Sequence, residues 1–159
     1  MLRLSVISQL RSLDEKRRVY LWTFLCRRKE TSGGIFFERN NMEHTEQFRQ
    51  EIAPFLWVNL DGGRASVCLN VGTYLQEVFD TRADEGFEGN GYDWGSLAQV
   101  FLDEKCPELS VHIDFDPEAS MFCAFSSNTA ALADFIRRFK AACEDRSLIL
   151  DLFSRAELD

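Results

Sequence analysis

Phe55-Leu56-Trp57-Val58-Asn59-Leu60-Asp61-Gly62-Gly63-Arg64-Ala65-Ser66-Val67-Cys68-Leu69-Asn70-Val71 is the stretch that decides the fold. Ala65, Val67, Leu69 and Val71 alternate with Arg64, Ser66, Cys68 and Asn70. Successive side chains on a strand point to opposite faces, so this period of two predicts a strand with one covered face. Asp61-Gly62-Gly63 is turn chemistry, and Phe55–Leu60 before it is a compact apolar run. Together the two segments predict a β-hairpin.

Working toward the C-terminus, Tyr74–Phe79 reads as a short helix with Leu75, Val78 and Phe79 inward. A loop from Asp80 to Tyr92 follows. Asp93 is expected to cap a helix in which Trp94, Leu97, Ala98 and Phe101 fall at i, i+3, i+4 and i+7. Pro107 closes that helix. Val111, Ile113 and Phe115 alternate with Ser110, His112 and Asp114, and Asp116–Ser120 turns the chain into Met121–Phe125, which predicts a second hairpin. Asn128 then reads as the N-cap of the clearest helix. Leu132, Phe135, Ile136, Phe139, Ala142 and Cys143 form its apolar stripe, and Asp134, Arg137, Arg138, Lys140 and Glu144 its polar face. Leu148–Leu158 is a last short helix. The order from residue 55 is ββααββαα, so the expected fold class is α+β: an antiparallel sheet of two hairpins with helices mainly on one face.

Working toward the N-terminus, the pattern blurs. Residues 1–30 could form a helix, but their apolar positions make no clean face, and Thr31-Ser32-Gly33-Gly34 breaks the run. Charge reverses close by. Residues 1–41 carry nine Lys/Arg against four Asp/Glu, whereas residues 42–159 carry nine against twenty-two. The division is therefore a basic N-terminal extension over 1–41 and a single domain over 42–159. The extension reads either as a translated leader, with Met42 as the native start, or as a genuine basic N-terminal helix, and the charge reversal favours the leader. In support, Glu38-Arg39-Asn40-Asn41 can be encoded by a string resembling a ribosome-binding site.

Composition narrows the function. With 45% hydrophobic residues and fourteen Phe against three Tyr in 159 residues, the chain can bury a ring-rich core. The net charge of −8 argues against nucleic acid or an anionic membrane as partner and toward a basic protein. No apolar run approaches the roughly 20 residues that span a bilayer. Leu4–Ile7 is too short for a signal-peptide core. Five cysteines without CxxC spacing suit reduced thiols in the cytosol.

No catalytic, cofactor or metal set assembles. His112 is expected on the exposed side of a strand, and His44 lies in a polar segment without a carboxylate pattern. Cys68 and Cys123 fall inside strands and Cys143 on an apolar stripe, as buried inert thiols do. The acidic loop fails as a calcium site: Arg82, Glu85 and Gly91 stand where an EF-hand needs an oxygen ligand, Gly and Glu. Gly86, Gly89 and Gly91 do not make a phosphate-binding GxGxxG.

What remains is Asp84-Glu85-Gly86-Phe87-Glu88-Gly89-Asn90-Gly91-Tyr92-Asp93-Trp94, which joins glycines, aromatics and carboxylates. A turn leading into a helix cap accounts for Gly91, Asp93 and Trp94. It accounts less well for Asp84, Glu85 and Glu88. This block, with Ser96-Leu97-Ala98, Phe115-Asp116-Pro117-Glu118, Met121-Phe122-Cys123 and Cys143-Glu144-Asp145, resembles the immunity protein 51 family of bacterial polymorphic toxin systems. Glu88–Trp94 is the most specific part, and residues 1–41 have no counterpart. The resemblance implies a cytosolic protein that binds and blocks a cognate toxin domain, delivered by neighbouring cells or made in the same cell. Acidity suits a basic, nuclease-like toxin, and Asp84, Glu85, Glu88, Asn90 and Tyr92 are the expected partner-binding residues. Two alternatives are a small hydrolase-like enzyme using the acidic loop and a regulatory adaptor without a toxin.

Overall fold

The computed structural model describes residues 46–158. The N-terminal extension, its leader reading and His44 lie outside the described residues.

Helix α1 (Glu46–Ile52) spans barely two turns and buries Phe48 and Ile52, one turn apart. Two apolar positions are too few to show a helical period, so the sequence pattern did not reveal it. Strands β1 (Leu56–Asn59) and β2 (Ala65–Asn70) form the expected hairpin, antiparallel with Leu56 opposite Cys68 and Asn59 opposite Ala65. The Asp61-Gly62-Gly63 turn closes it, and the Leu60 amide donates to the Arg64 carbonyl at 2.9 Å. Two further strands, β3 (Asp114–Phe115) and β4 (Met121–Ser126), complete an antiparallel sheet of order β1-β2-β4-β3. The hairpins thus join through β2 and β4, with Leu69 opposite Phe122 and Val67 opposite Ala124.

The second hairpin is shorter than expected. Residues 110–113 are not strand, and Val111 is 82% exposed rather than inward. Their backbone groups are used locally: the Leu109, Ser110 and His112 amides donate to the carbonyls of Cys106, Pro107 and Leu109. Amides so used do not enter a ladder. Ile113 alone of that stretch is buried. His112 is exposed, in a turn rather than on a strand.

The helices supply the core. After β2 come α2 (Gln76–Phe79) and α3 (Gly91–Lys105); after β4 come α4 (Thr129–Glu144) and α5 (Arg146–Phe153). Asn128 caps α4 as expected, its side chain accepting from the Ala131 amide at 3.1 Å. Helix α5 begins at Arg146, capped by Asp145, earlier than the apolar residues alone suggest. The α4 stripe Leu132, Phe135, Ile136, Phe139 lies against the sheet face of Val67, Leu69, Phe122 and Ala124. Lys140 departs from its expected exposed face: it is 8% exposed, over the Tyr74 ring and paired with Glu144 one turn on. Its aliphatic stem tolerates burial while the ammonium keeps a counter-charge.

Trp94 is the centre of the aromatic core. It is fully buried, stacks on Tyr74 at 5.8 Å and meets Phe55, Phe79, Phe122 and Phe139. Such ring pairs add about 0.5–1.5 kcal/mol each beyond area burial. The Phe-rich composition is thereby accounted for.

Candidate partner-binding loop

The segment between α2 and α3 is not a slack loop. Asp80–Glu85 coils into tight turns that end at Gly86. Phe87 then enters the core against Phe153, with ring centroids 4.9 Å apart. The Gln76 side-chain amide donates to the Glu88 carbonyl and to Asp80, both at 3.0 Å. Gly89 has φ +74°, and a Cβ there would lie 2.9 Å from the Gln76 side chain.

The junction with α3 corrects the expected cap. Asn90, not Asp93, is the N-cap; its side-chain oxygen accepts from the Tyr92 and Asp93 amides at 2.8 and 3.1 Å. Asp93 stands three residues into the motif as the reciprocal partner of a capping box. One of its carboxylate oxygens accepts from the amides of Glu88, Gly89 and Asn90 at 2.8, 2.8 and 3.1 Å. Local spacing favours either acidic or amide residues as caps, so sequence alone did not separate the two. Gly91 is forced by proximity. A Cβ there would fall 1.9 Å from the Glu118 carbonyl oxygen and 2.4 Å from that of Met121, where the helix start presses on the β3–β4 turn.

Arg82 holds the segment from below. Its guanidinium donates to the Phe153 and Ala156 carbonyls at 2.5 and 2.9 Å and forms a two-pronged pair with Glu85 at 2.9 and 2.6 Å. It also lies over the rings of Phe87 and Phe153, 4.4 and 5.1 Å from their centroids. The Glu85 carboxyl is held below the usual carboxylate range, chiefly by the Arg82 hydrogen bond. In the sequence Arg82 only spoils a calcium loop; the carbonyls it holds lie more than seventy positions away, so no local signal reveals the clamp.

The five expected partner-binding residues therefore divide. Asn90 is committed to the cap and Glu85 to Arg82. Asp84 and Glu88 are exposed, and their carboxylates have no hydrogen-bond or ion-pair partner among the described residues. Tyr92 is 41% exposed on the first turn of α3. Leu158, expected at the end of the last helix, lies beyond it, is 48% exposed and sits against Gly86. It lines a shallow depression with Asn90, Tyr92 and Asp93. The tail is tied there by Ser96, whose hydroxyl donates to the Glu157 carbonyl at 2.6 Å and accepts from its amide at 2.9 Å.

Burial pushes the Cys106 thiol up to about 11 and raises the Cys143 thiol as well. The Tyr74 hydroxyl is buried without a hydrogen-bond partner, and desolvation raises its pKa. No helix among the described residues is long and apolar enough to cross a membrane.

The most distinctive motif of this α+β domain thus builds a braced, acidic loop. The domain's lineage follows from comparison: the model of immunity protein 51 matches residues 55–158, and the chain belongs to that family. The match begins one residue before β1 and ends at Leu158, so it takes in the sheet, the braced loop and the tied tail. The chain matches none of the curated proteins and none of the solved structures.

Proposed function

We propose that this immunity protein neutralises a cognate toxin domain in the cytoplasm by binding it one to one and covering its working surface. The face that does so carries Asp84, Glu88 and Tyr92, with Glu85 and Asn90 bracing it. The observation that supports this reading is the combination of a rigid frame with unpartnered outward groups. The loop is clamped by Arg82, Gln76 and Asp93, yet two carboxylates and a tyrosine are left to solvent. A preformed surface loses little conformational entropy on binding, and Tyr is enriched where interface energy concentrates. Opposite charge on a basic, nuclease-like toxin would speed encounter. A stable complex covers about 800 Å² per partner, more than this loop offers, so the Ser154–Leu158 tail and the β3–β4 turn would share the contact.

A hydrolase using the same loop is less well supported. Asp93 spends its charge on three backbone amides and Glu85 on Arg82, so neither of these two is free to serve as acid or base. The test is protection of cells expressing the toxin by Asp84→Lys with Glu88→Lys, and separately by Tyr92→Ala, each first shown to melt like wild type. Loss of protection by folded variants supports the face. Full protection by all of them moves the interface elsewhere.

A further inference from the structure

Cys68 and Cys123 face each other at the centre of the β2–β4 ladder. Both are buried, on the sheet face opposite Val67, Leu69, Phe122 and Ala124, and they are not disulfide-bonded. Their sulfurs are 3.1 Å apart, a thiol–thiol contact in which either could be the donor. Ser66 lies beside both: its hydroxyl is 2.9 Å from the Cys123 sulfur and 3.5 Å from that of Cys68. That hydroxyl also donates to the Ala124 carbonyl at 3.0 Å, while in its contact with the Cys123 sulfur either atom could be the donor.

The geometry suits a covalent bond. Directly opposed antiparallel residues have Cα atoms about 4.5 or 5.5 Å apart, and both values fall within the roughly 4.4–6.8 Å that disulfides span. Closing the sulfurs to about 2.05 Å needs a movement of roughly 1 Å, within reach of small side-chain rotations. Among the described residues no such sulfur contact links Cys106 or Cys143 to another thiol.

We propose that Cys68 and Cys123 are a redox-reactive pair that closes to an intrachain disulfide by exchange with a small disulfide such as oxidised glutathione. One cysteine thiolate attacks the oxidant, forming a mixed disulfide and releasing one small thiolate. The other cysteine thiolate attacks the protein sulfur of that mixed bond and releases the second. The two protons lost by the cysteines end on the two small thiols, so two cysteines are oxidised and one small disulfide is reduced. The bond would staple strands whose cysteines are 55 positions apart, restricting the unfolded chain. The immunity fold would then be stabilised whenever it meets an oxidising environment.

The test uses the full chain in two arms, one oxidised natively with glutathione disulfide and one refolded from urea in a glutathione redox buffer, where the thiols are reachable. Free thiols are then alkylated and the peptides mapped without reduction. The expected product in at least one arm is the Cys68 peptide joined to the Cys123 peptide, with Cys26, Cys106 and Cys143 alkylated. Its melting temperature should exceed that of the reduced protein by roughly 5–15 °C. Cys123→Ser should remove both effects; where that variant does not fold, the wild-type map decides. Alkylated Cys68 and Cys123 in both arms, a persistent glutathione adduct on either, or bonds scattered to the other cysteines would overturn the proposal.

Discussion

Replacing Arg82 by methionine is the sharpest probe of the braced loop, because it keeps an unbranched stem and removes only the guanidinium. Lost with it are two hydrogen bonds to the Phe153 and Ala156 carbonyls and the stacking on Phe87 and Phe153. Hydrogen bonds from a charged donor contribute about 1.5–3 kcal/mol each, and the 19% exposure of this side chain argues for the lower end. Two stacks on a partly wetted cation add about 0.5 kcal/mol each. The expected loss is therefore about 4 kcal/mol, or a fall of about 10 °C in melting temperature for a chain of this size. Hydrogen exchange should localise it: the amides of residues 80–89 and of the tail after Phe153 should lose protection before those of β2 and β4. Glu85→Gln is the control, and since the Glu85 side chain is 51% exposed its melt should stay close to wild type. A melting temperature for Arg82→Met within about 2 °C of wild type, with unchanged exchange in the tail, would refute the clamp.

Three other substitutions test the frame. Phe139→Ala removes a ring packed on Phe55, Trp94, Phe101 and Phe135 and should cost about 3–5 kcal/mol in a urea titration. Gly91→Ala meets backbone on two sides and should cost about 3 kcal/mol or abolish soluble expression; a wild-type melt would mean the α3 start is misplaced. Asp93→Ala strips the acceptor from three amides and should cost about 2 kcal/mol by denaturant midpoint, more than a single lost cap, because the amides it leaves are partly buried.

What could be read ahead of the structure was whatever repeats locally. The period of two in β2, the Asp-Gly-Gly turn and the apolar stripe of α4 each state their structure within a dozen residues. Failures came where the deciding partner is distant or the segment too short. Val111 keeps a strand-like period with Ile113 and Phe115, yet Pro107 and the turn after it consume the backbone amides first. Helix α1 shows only Phe48 and Ile52. Lys140 looks like a surface residue until Tyr74, brought from before α2, lies beneath it. The loop was flagged by its composition, but its rigidity rests on Arg82 reaching the α5 end and on Glu118 and Met121 crowding Gly91. Neither relation leaves a local trace.

Within Glu88–Trp94, inward and outward roles alternate in a way that separates fold from recognition. Gly89, Asn90, Gly91, Asp93 and Trp94 are consumed by a positive φ, a cap, a close approach, an amide cradle and the core. Glu88 contributes only its backbone to that frame, its carboxylate being exposed, and Tyr92 contributes its amide to the cap while its side chain remains 41% exposed. These two side chains can therefore vary at little structural cost, as the proposed toxin-facing role requires. The expected result is that Glu88→Gln and Tyr92→Ser, alone or together, leave the melting temperature within about 2 °C of wild type, since exposed substitutions stay within roughly 0.5 kcal/mol. The same variants should weaken a calorimetrically measured complex with the toxin domain, Glu88→Gln mainly by slowing association at low salt and Tyr92→Ser mainly by hastening dissociation. Unchanged affinity in the double variant would separate this face from the toxin. A large drop in stability would instead show that Glu88 and Tyr92 belong to the frame with their neighbours.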